Sequence, residues 1–354
     1  MAVHDGRQVL TMRQGVRQAL ASLALFPCAA VFSGCGLLLD AVQLVLPIQT
    51  DELAAICTRQ KLRVGMGLEP RQPFVFPAIW TDEGSRVTGL DVELVKEMTA
   101  ALTAYCDGRP VVPVLHLVHF RDLFVQMNEG KLDLFVSAVN ANAPTQNRAG
   151  LAYSVPYFYD GGLVMITRQP DLAVRVRALV PSGTGRLVEP AVMRRALAGL
   201  TVAVQQGTTA ELYATINLKD TRLLLCESLP AAFESQDPRV DVILSKQPLL
   251  IYSVKQARKD WRFISTDAGQ PQLLTSENYA VIMAEESYRL RQFINDLLFR
   301  LEATGRLEEM RRRWLTEVYA YPRRAAAEGL PFAVEKMVAQ HYQGECRVRS
   351  GHGR

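Results

Sequence analysis

The feature that most constrains the fold of this chain is a regular alternation of short apolar β-type runs with helical segments. Residues 61–68 (KLRVGMGL) form such a run, ending in glycine, and Leu90, Leu94, Met98 and Leu102 then recur at helical spacing. A second apolar run, a short helix and a third run follow, giving the order β-α-β-α-β. This order predicts parallel strands joined by crossover helices, and hence an α/β fold.

The same alternation occurs a second time further along the chain. Residues 201–216 (TVAVQQGTTAELYATI) indicate a strand, a glycine turn and a helix, and residues 240–246 (VDVILSK) indicate another strand. A strand at 278–287 and a strongly helical segment at 289–315 then return to the pattern. Two α/β units are therefore predicted, with the chain crossing between them more than once. Clefts between such units are favoured places for ligands.

The N-terminus has the features of an export signal. Arg13 and Arg17 precede a short apolar run that ends in small residues before Cys35, and residues 31–35 (VFSGC) resemble a bacterial lipobox. This predicts a signal peptide over 1–35 with lipidation of Cys35, followed by a tether over 36–58. A plain secretory signal and an uncleaved membrane anchor are the alternatives. Asp40 counts against the anchor, because it places a charge near the middle of the apolar run. All three place the bulk of the protein outside the cytoplasm.

Composition and cysteine spacing argue against several classes of function. The chain has 354 residues, of which 49% are hydrophobic, and its net charge of +4 comes from scattered basic residues without interleaved aromatic side chains. Nucleic-acid binding is therefore not expected. The six cysteines show no metal-ligand spacing, so neither a metal ion nor a cofactor is expected. In an exported protein Cys57 and Cys106 could form a disulfide or remain isolated buried thiols.

Five segments in a fixed order resemble the bacterial solute-binding proteins of family 3, the periplasmic receptors of polar amino-acid ABC importers. They are GLDVELVKEMTAAL, FRDLFVQMNEGKLDLFV, TQNRAGLAYSVPYFYDGGLVMI, VAVQQGTTAE and LEATGRLEEMRRRWL. The resemblance covers roughly residues 59–317. It implies a two-lobed type II periplasmic binding protein fold with a hinge of two crossing segments.

The resemblance also implies a domain plan and a mode of action. The first lobe is expected at 59–158 and 276–317, the second at 159–275, and a C-terminal extension at 318–354, expected to be a surface helix with a disordered end. A monomer of this kind would close its lobes around a small solute and present the closed form to an ABC permease in the inner membrane, or to a sensor. Membrane attachment would come from the lipid anchor.

Four elements of the family's binding site can be carried over to this chain. Arg148 matches an arginine that binds a ligand carboxylate, and Gly207 and Thr208 match a turn whose amides hold an anion. Phe120 matches an aromatic residue that stacks on the ligand, and Thr145 matches the threonine of the family motif. From the residues alone, a surface arginine, an ordinary helix start, a core phenylalanine and a turn residue stay open as alternatives.

Three departures from the family pattern point to an unusual ligand. Ala143 lacks a hydroxyl that would join Arg148, and Arg71 stands where an aromatic lid is common. Lys246 stands where relatives carry the aspartate that binds a ligand ammonium group. If Arg71, Arg148 and Lys246 converge, with no obvious acid among the matched positions except nearby Glu69, an anionic, carboxylate-bearing ligand is expected. A shift of one residue would instead place Ser245 in the site and Lys246 in solvent.

Two other functions stay open from the sequence. One is a dehydratase-like enzyme of the same fold with Glu69 as its general acid, since His116 and His119 fit structural roles in a strand pattern. The other is an interaction or sensing protein of the cell envelope that binds no small ligand. A non-catalytic binding protein is the favoured interpretation.

Overall fold

The computed structural model describes the chain from residue 51 onward with several gaps, and residues 51–354 form one compact unit. The described residues are 51–69, 71–81, 84–141, 150–159, 161–180, 187–235, 240–256, 260–317, 329–332 and 344–349. The predicted signal peptide and Cys35 lie outside these residues. No helix within the described ranges is both long and apolar enough to span a membrane.

The first group of elements contributes four strands of a five-stranded sheet, the helices on it and a small antiparallel strand pair. In chain order these are α1 (Glu52–Arg59), β1 (Lys61–Gly67), β2 (Phe76–Thr81), β3 (Gly84–Thr88), α2 (Leu90–Tyr105), β4 (Val112–Val118), α3 (Phe120–Asn128), β5 (Leu134–Asn140) and β6 (Leu151–Tyr153).

The second group builds a separate sheet before the chain returns. Its elements are β7 (Leu163–Thr167), α4 (Pro170–Leu179), α5 (Pro190–Ala196), β8 (Thr201–Gln205), α6 (Thr209–Asn217), β9 (Arg222–Cys226), α7 (Leu229–Glu234), β10 (Val242–Lys246), α8 (Gln247–Gln256) and β11 (Arg262–Phe263). The returning segment contains β12 (Tyr279–Ala284), α9 (Tyr288–Ala303), α10 (Arg306–Arg312), a π-helical turn (Arg313–Glu317), β13 (Leu330–Phe332) and β14 (Cys346–Val348).

Both large sheets have the parallel core that the sequence predicts. The first sheet has the order β4-β1-β5-β12-β6, in which β1 runs parallel to β4 and β5 while β12 runs antiparallel to both of its neighbours. The second sheet has the order β11-β7-β10-β8-β9-β14, in which β10, β8 and β9 are parallel. The predicted α/β class is confirmed, because crossover helices join the parallel strands.

Helix α2 shows how the sequence pattern becomes packing. The four residues that recur at helical spacing, Leu90, Leu94, Met98 and Leu102, are all fully buried. Gly89 precedes the helix with φ +133°, and a Cβ atom there would lie 2.1 Å from the carbonyl oxygen of Phe74. Only glycine fits both the backbone conformation and this close approach.

Two stretches, residues 154–159 with 161–162 and residues 274–279, carry the chain between the sheets and lie side by side. The N–H of Tyr157 donates to the carbonyl of Tyr279 at 2.9 Å, and the N–H of Gly161 donates to the carbonyl of Glu277 at 2.8 Å. A Cβ at Gly162 would lie 2.0 Å from the carbonyl oxygen of Thr275. The predicted hinge of two crossing segments is confirmed, and glycine is what allows them to approach so closely.

The chain contains two disulfides in the part that the structure describes. Cys57 in α1 is bonded to Cys106 at the end of α2. Cys226 in β9 is bonded to Cys346 in β14, a pair that the sequence analysis did not identify. Each bond closes a loop in the unfolded chain and so lowers the entropy of the unfolded state, which favours the folded state.

The C-terminal extension differs from its expected form. Its described parts are strands rather than a surface helix: β13 pairs antiparallel with β3, and β14 pairs antiparallel with β9. The expectation of a surface helix with a disordered end is therefore wrong for residues 330–332 and 346–348. Sequence periodicity could not find these strands because each is only three residues long and depends on the edge that it joins.

Candidate functional site

Lys246, the last residue of β10, is buried where the two sheets approach each other, with 4% of its surface exposed. Its ammonium group donates a hydrogen bond to the carbonyl oxygen of Ala138 in β5 and lies 4.2 Å from the centre of the Tyr279 ring. A residue of the second sheet thus binds directly to the first sheet. The side chain lies inside the protein and not in solvent.

Glu277 supplies the acid that the sequence analysis did not find. Its Oε2 atom lies 3.7 Å from Nζ of Lys246, and its Oε1 atom lies 3.3 Å from the Thr275 hydroxyl, which donates to it. Glu277 is 1% exposed and belongs to one of the crossing segments. Its only sequence signal was its position two residues before the apolar strand β12, which is too weak to assign a role.

Asp91 is a second buried acid beside the crossing segments. The Tyr157 hydroxyl donates to its Oδ1 at 2.7 Å, and the N–H of Ala138 donates to its Oδ2 at 2.9 Å. Ala138 can serve both Asp91 and Lys246 because it has φ +48° at an irregularity in the pairing of β5 with β12. Its peptide groups therefore point at the site instead of continuing the ladder.

Burial is the main influence on the charges of these groups. It raises the pKa of Asp91 to about 6, although the hydrogen bonds of Tyr157 and Ala138 and the charges of Arg71 and Lys246 lower it. Burial lowers the pKa of Lys246 to about 8, the charge of Glu277 raises it, and the charge of Arg71 lowers it. Burial also raises the pKa of Glu277, against the charge of Lys246. The charged form of each group loses hydration that its partners only partly replace.

Arg71 and Phe120, both predicted ligand residues, contact each other. The Arg71 guanidinium carbon lies 3.7 Å from the centre of the Phe120 ring, and Arg71 is only 1% exposed. Within the described part of the chain, neither Nε nor Nη2 of Arg71 has a hydrogen-bond partner. Buried guanidinium N–H groups without acceptors are costly, so this arrangement favours an additional acceptor at Arg71, beyond those that the described residues supply.

Glu69 is engaged at the start of α3. Its carboxylate accepts from the N–H of Phe120 at 3.1 and 3.2 Å and lies 3.3 Å from Nδ1 of His119. A carboxylate at a helix N-terminus is stabilised by the free N–H groups there. Next to it, a small cavity of about 80 Å³ is lined by Glu69, His119, Arg121, Gln206 and Glu227, which come from both groups of elements.

The predicted glycine turn at Gly207 and Thr208 begins α6 as expected for a helix start. Gly207 has φ +76°, and its N–H donates to Oε2 of Glu211 at 2.6 Å. The Thr208 hydroxyl donates to the carbonyl oxygen of Gln205 at 2.6 Å. The amide that was predicted to hold a ligand anion therefore binds a carboxylate of the protein itself.

Two predicted site residues cannot be placed. Thr145 and Arg148 lie in the range 142–149, outside the described residues, as does Ala143. Of the three cationic residues that were predicted to converge, the structure therefore describes only Arg71 and Lys246. These two share an environment, because the charges of both act on the pKa of Asp91. No group of three potential metal ligands occurs among the residues that the structure describes.

Two parallel-cored sheets, two adjacent crossing segments and a buried polar site between the sheets define a two-lobed α/β solute-binding protein. The sequence profile of the bacterial extracellular solute-binding proteins, family 3, matches residues 64–317. The chain belongs to this family. A comparison with curated protein sequences gives no significant match.

Several solved structures share the fold. A variant of the arginine-binding protein ArgBP from T. maritima is 23% identical, with a TM-score of 0.57 over 74% of this chain and 98% of that one. An amino acid ABC transporter substrate-binding protein from Streptococcus pneumoniae, bound to L-arginine, is 18% identical, with a TM-score of 0.59 over 77% and 98%. The ancestral amino acid-binding protein AncCDT-1, a precursor of cyclohexadienyl dehydratase, is 20% identical, with a TM-score of 0.58 over 75% and 100%. At these identities the likeness concerns the fold.

Proposed function

We propose that this protein binds a small carboxylate-bearing solute between its lobes and delivers it to an ABC importer. One observation carries the proposal: Arg71 is buried against Phe120, and two of its guanidinium nitrogens find no acceptor among the residues that the structure describes. A guanidinium fork matches the two oxygens of a carboxylate in geometry and charge. The solute would complete the hydrogen bonds of Arg71 when the lobes close on it.

The acids around the site do not remove this preference, because the fold gives each of them a partner. Glu69 accepts from Phe120 N–H, Asp91 accepts from Tyr157 and Ala138, and Glu277 lies beside Lys246. Arg71 is the cation that still requires an acceptor. The binding of a carboxylate therefore adds interactions without breaking those that the fold has already formed.

The lysine at position 246 disfavours ordinary α-amino acids. Two of the structural neighbours are bound to L-arginine, and the resemblance places an ammonium-binding aspartate at this position. Here a buried ammonium group of the protein occupies it, next to Glu277 and Ala138. A ligand ammonium group would meet repulsion from Lys246 instead of a counter-ion. We infer a solute without an α-ammonium group.

The same family membership supports the rest of the proposal. Members are extracellular solute-binding proteins, so an inner-membrane permease is the natural partner of a monomeric, periplasmic protein. Cys35 would anchor it to the membrane as a lipoprotein. The domain plan, with lobes at 59–158 with 276–317 and at 159–275, is part of this proposal. Presentation to a sensor would use the same closed form.

An enzyme of this fold is the less favoured alternative. The precursor of a dehydratase among the structural neighbours shows only that the fold is shared. Glu69, the candidate general acid, is already hydrogen-bonded at the start of α3. A general acid must be able to present its proton to a substrate, and both carboxylate oxygens of Glu69 already accept from the N–H of Phe120.

Titration calorimetry and thermal melting with two panels of compounds test the proposal. Di- and tricarboxylates and simple monocarboxylates should bind and raise the melting temperature, whereas standard L-amino acids should not. Arg71→Met should weaken binding by about 30-fold or more, equivalent to about 2 kcal/mol or more, because one buried charged hydrogen-bond donor is lost. Arg148→Ala should also weaken it.

Arg168 provides a matched control. Its guanidinium lies 4.6 Å from the Trp261 ring centre and pairs with Asp260 at 2.7 Å, but it is half-exposed. Arg168→Met therefore removes an arginine from an aromatic face outside the site and should leave binding unchanged. Stabilisation by L-amino acids but not by carboxylates, or unchanged binding by Arg71→Met, would contradict the proposal.

A further inference from the structure

The surroundings of Lys246 suit a nucleophilic amine as well as a positive charge. The side chain is buried, its ammonium group lies against the face of Tyr279, and a carboxylate oxygen of Glu277 is 3.7 Å away. The charge of Lys246 and side-chain hydrogen bonds from Thr209, Thr275 and Lys246 act on the Glu277 carboxyl group. An amine beside a carboxylate can exchange a proton with it, and an amine must lose a proton before it can attack a carbonyl carbon.

Arg71 adds the group that would hold such a carbonyl compound in place. Its Nε atom and the Lys246 ammonium group approach neighbouring residues of β5. The Arg71 Nε lies 3.2 Å, and the Ser137 hydroxyl oxygen 2.9 Å, from the position that a Cβ of Gly67 would take. Ser137 precedes Ala138, the residue to which Lys246 donates. The charge of Arg71 also acts on Lys246, so the two groups belong to one site. A compound with a carboxylate next to a carbonyl group would engage both of them.

We propose that Lys246 captures a 2-oxo carboxylate covalently and reversibly, as an iminium adduct. This deepens, and rests on, the proposed function: Arg71 holds the carboxylate and Lys246 reacts with the adjacent ketone. At the position where relatives carry the ammonium-binding aspartate, Lys246 would thus select solutes that contain a carbonyl group by forming a covalent bond with them.

The chemistry balances without a further reactant. The ammonium group of Lys246 passes a proton to the Glu277 carboxylate, and the free amine attacks the carbonyl carbon, forming a C–N bond. The carbonyl oxygen takes up protons, the C–O bond breaks and water leaves. The iminium product carries the positive charge that the ammonium group carried before, and Glu277 returns to the carboxylate form. Hydrolysis reverses every step and releases the solute unchanged.

The protonation of Lys246 agrees with this role. Burial lowers the pKa of Lys246 to about 8. The neutral fraction at neutral pH is then roughly a few hundred-fold larger than that of an ordinary lysine. Only the neutral amine is nucleophilic, so Lys246 should react ahead of the exposed lysines of the chain.

Reductive trapping tests the proposal on the folded protein. The protein is incubated at pH 7 with pyruvate and sodium cyanoborohydride, and the product is followed by intact mass and peptide mapping. One reduced adduct per chain should form at Lys246. Lactate differs from pyruvate only in carrying a hydroxyl in place of the ketone, and it should bind without forming an adduct.

Variants separate the covalent step from binding and from folding. Lys246→Arg keeps the charge but cannot form an iminium and should lose the adduct. Lys131→Arg makes the same change at a half-exposed lysine paired with Glu129 and should keep it. Glu277→Gln should slow adduct formation at least about tenfold, because general acid–base assistance is lost. Circular dichroism and thermal melting of each variant establish that it is folded.

The failures of the two proposals are distinguishable. If pyruvate and lactate both raise the melting temperature but no adduct forms at Lys246, the covalent capture is refuted and carboxylate binding stands. If neither compound, nor any other carboxylate, binds the wild-type protein, both proposals are refuted. Equal labelling of Lys246 and the exposed lysines would also refute a specific capture.

Discussion

At Lys246 and Asp91, two ionisable side chains of opposite charge are withdrawn from water within one small region between the sheets. The carbonyl oxygen of Ala138 accepts a hydrogen bond from Lys246, and the N–H of the same residue donates one to Asp91. Burial disfavours the charged form of both groups, so the fold holds them close to a change of protonation. These residues therefore connect the stability of the protein to pH.

For Asp91 the direction of this pH dependence can be worked out. Its pKa is raised to about 6 in the folded protein from an ordinary value of 3.8. Between these values the folded state binds more protons than the unfolded state, so the free energy of unfolding falls as pH rises from about 4 to about 6. The contribution is about 3 kcal/mol. Urea unfolding of the wild type and of Asp91→Asn across this range should show a difference that changes by about this amount.

Tyr157→Phe provides the companion measurement. It removes the 2.7 Å hydrogen bond from the Tyr157 hydroxyl to Asp91 and leaves the one from Ala138 N–H. Because the lost hydrogen bond lowers the pKa of Asp91, that pKa should rise further in this variant. The pH window should therefore extend to higher pH in this variant. If the difference in free energy of unfolding between the wild type and Asp91→Asn stays constant from pH 4 to pH 7, Asp91 does not titrate in this range in the folded protein.

At the scale of elements, the two crossing segments owe their close contact to small residues. The pair Gly161 and Gly162 follows Phe158, and the opposing segment contributes Thr275, Glu277 and Tyr279. Cβ atoms at the two glycines would lie 2.3 Å from the Tyr279 ring and 2.0 Å from the Thr275 carbonyl oxygen. Because Glu277 is held by Gly161 N–H, the packing of the hinge also positions the acid beside Lys246.

Gly162→Ala should accordingly destabilise the protein by at least about 2 kcal/mol, because the new methyl group collides with backbone that cannot move without breaking the hinge pairing. Chemical denaturation measures the loss. Gly108→Ala is the control: Gly108 has φ +78° but nothing within 4 Å of the added Cβ, so only backbone strain of about 1 kcal/mol is expected. Equal losses in the two variants would contradict the role of close approach at Gly162.

At the scale of the whole molecule, the C-terminal extension reaches both groups of elements. Strand β13 extends the small sheet of β2 and β3, and β14 covers the outer edge of the second sheet at β9. The Cys226–Cys346 disulfide fixes β14 to β9, and Glu227 N–H donates to the carbonyl of Glu345 beside it at 2.9 Å. Covering a sheet edge also protects it from pairing with another chain.

Cys346→Ala should lower the free energy of unfolding by about 2 to 5 kcal/mol, since the disulfide closes a loop of 120 residues in the unfolded chain. Urea unfolding without reductant measures the change. Adding reductant to the same variant then reports on the Cys57–Cys106 bridge alone. A variant as stable as the oxidised wild type would show that the Cys226–Cys346 bond does not stabilise the fold.

Much of the architecture was predictable because it depends on local patterns. The helical spacing of Leu90 to Leu102 and the alternation of strands with helices gave the α/β class, and the order of motifs gave the family. The strands of the extension were not predictable, since three residues contain no periodicity. Glu277 was missed for a related reason: a single acid in a connecting segment has no pattern, and only the pairing of the crossing segments brings it to Lys246.

By itself, the sequence determined the α/β class, the family and the arrival of Lys246 at the end of an apolar strand. These follow from periodicity and motif order, which operate over short distances along the chain. The tertiary structure alone decided that Lys246 turns inward to Ala138 and Glu277, and that Arg71 lies on Phe120 with two nitrogens for which the described part of the chain has no acceptor. The physical reason is that the charge and hydrogen bonding of a buried group depend on neighbours from distant parts of the chain, here separated by as many as 108 residues.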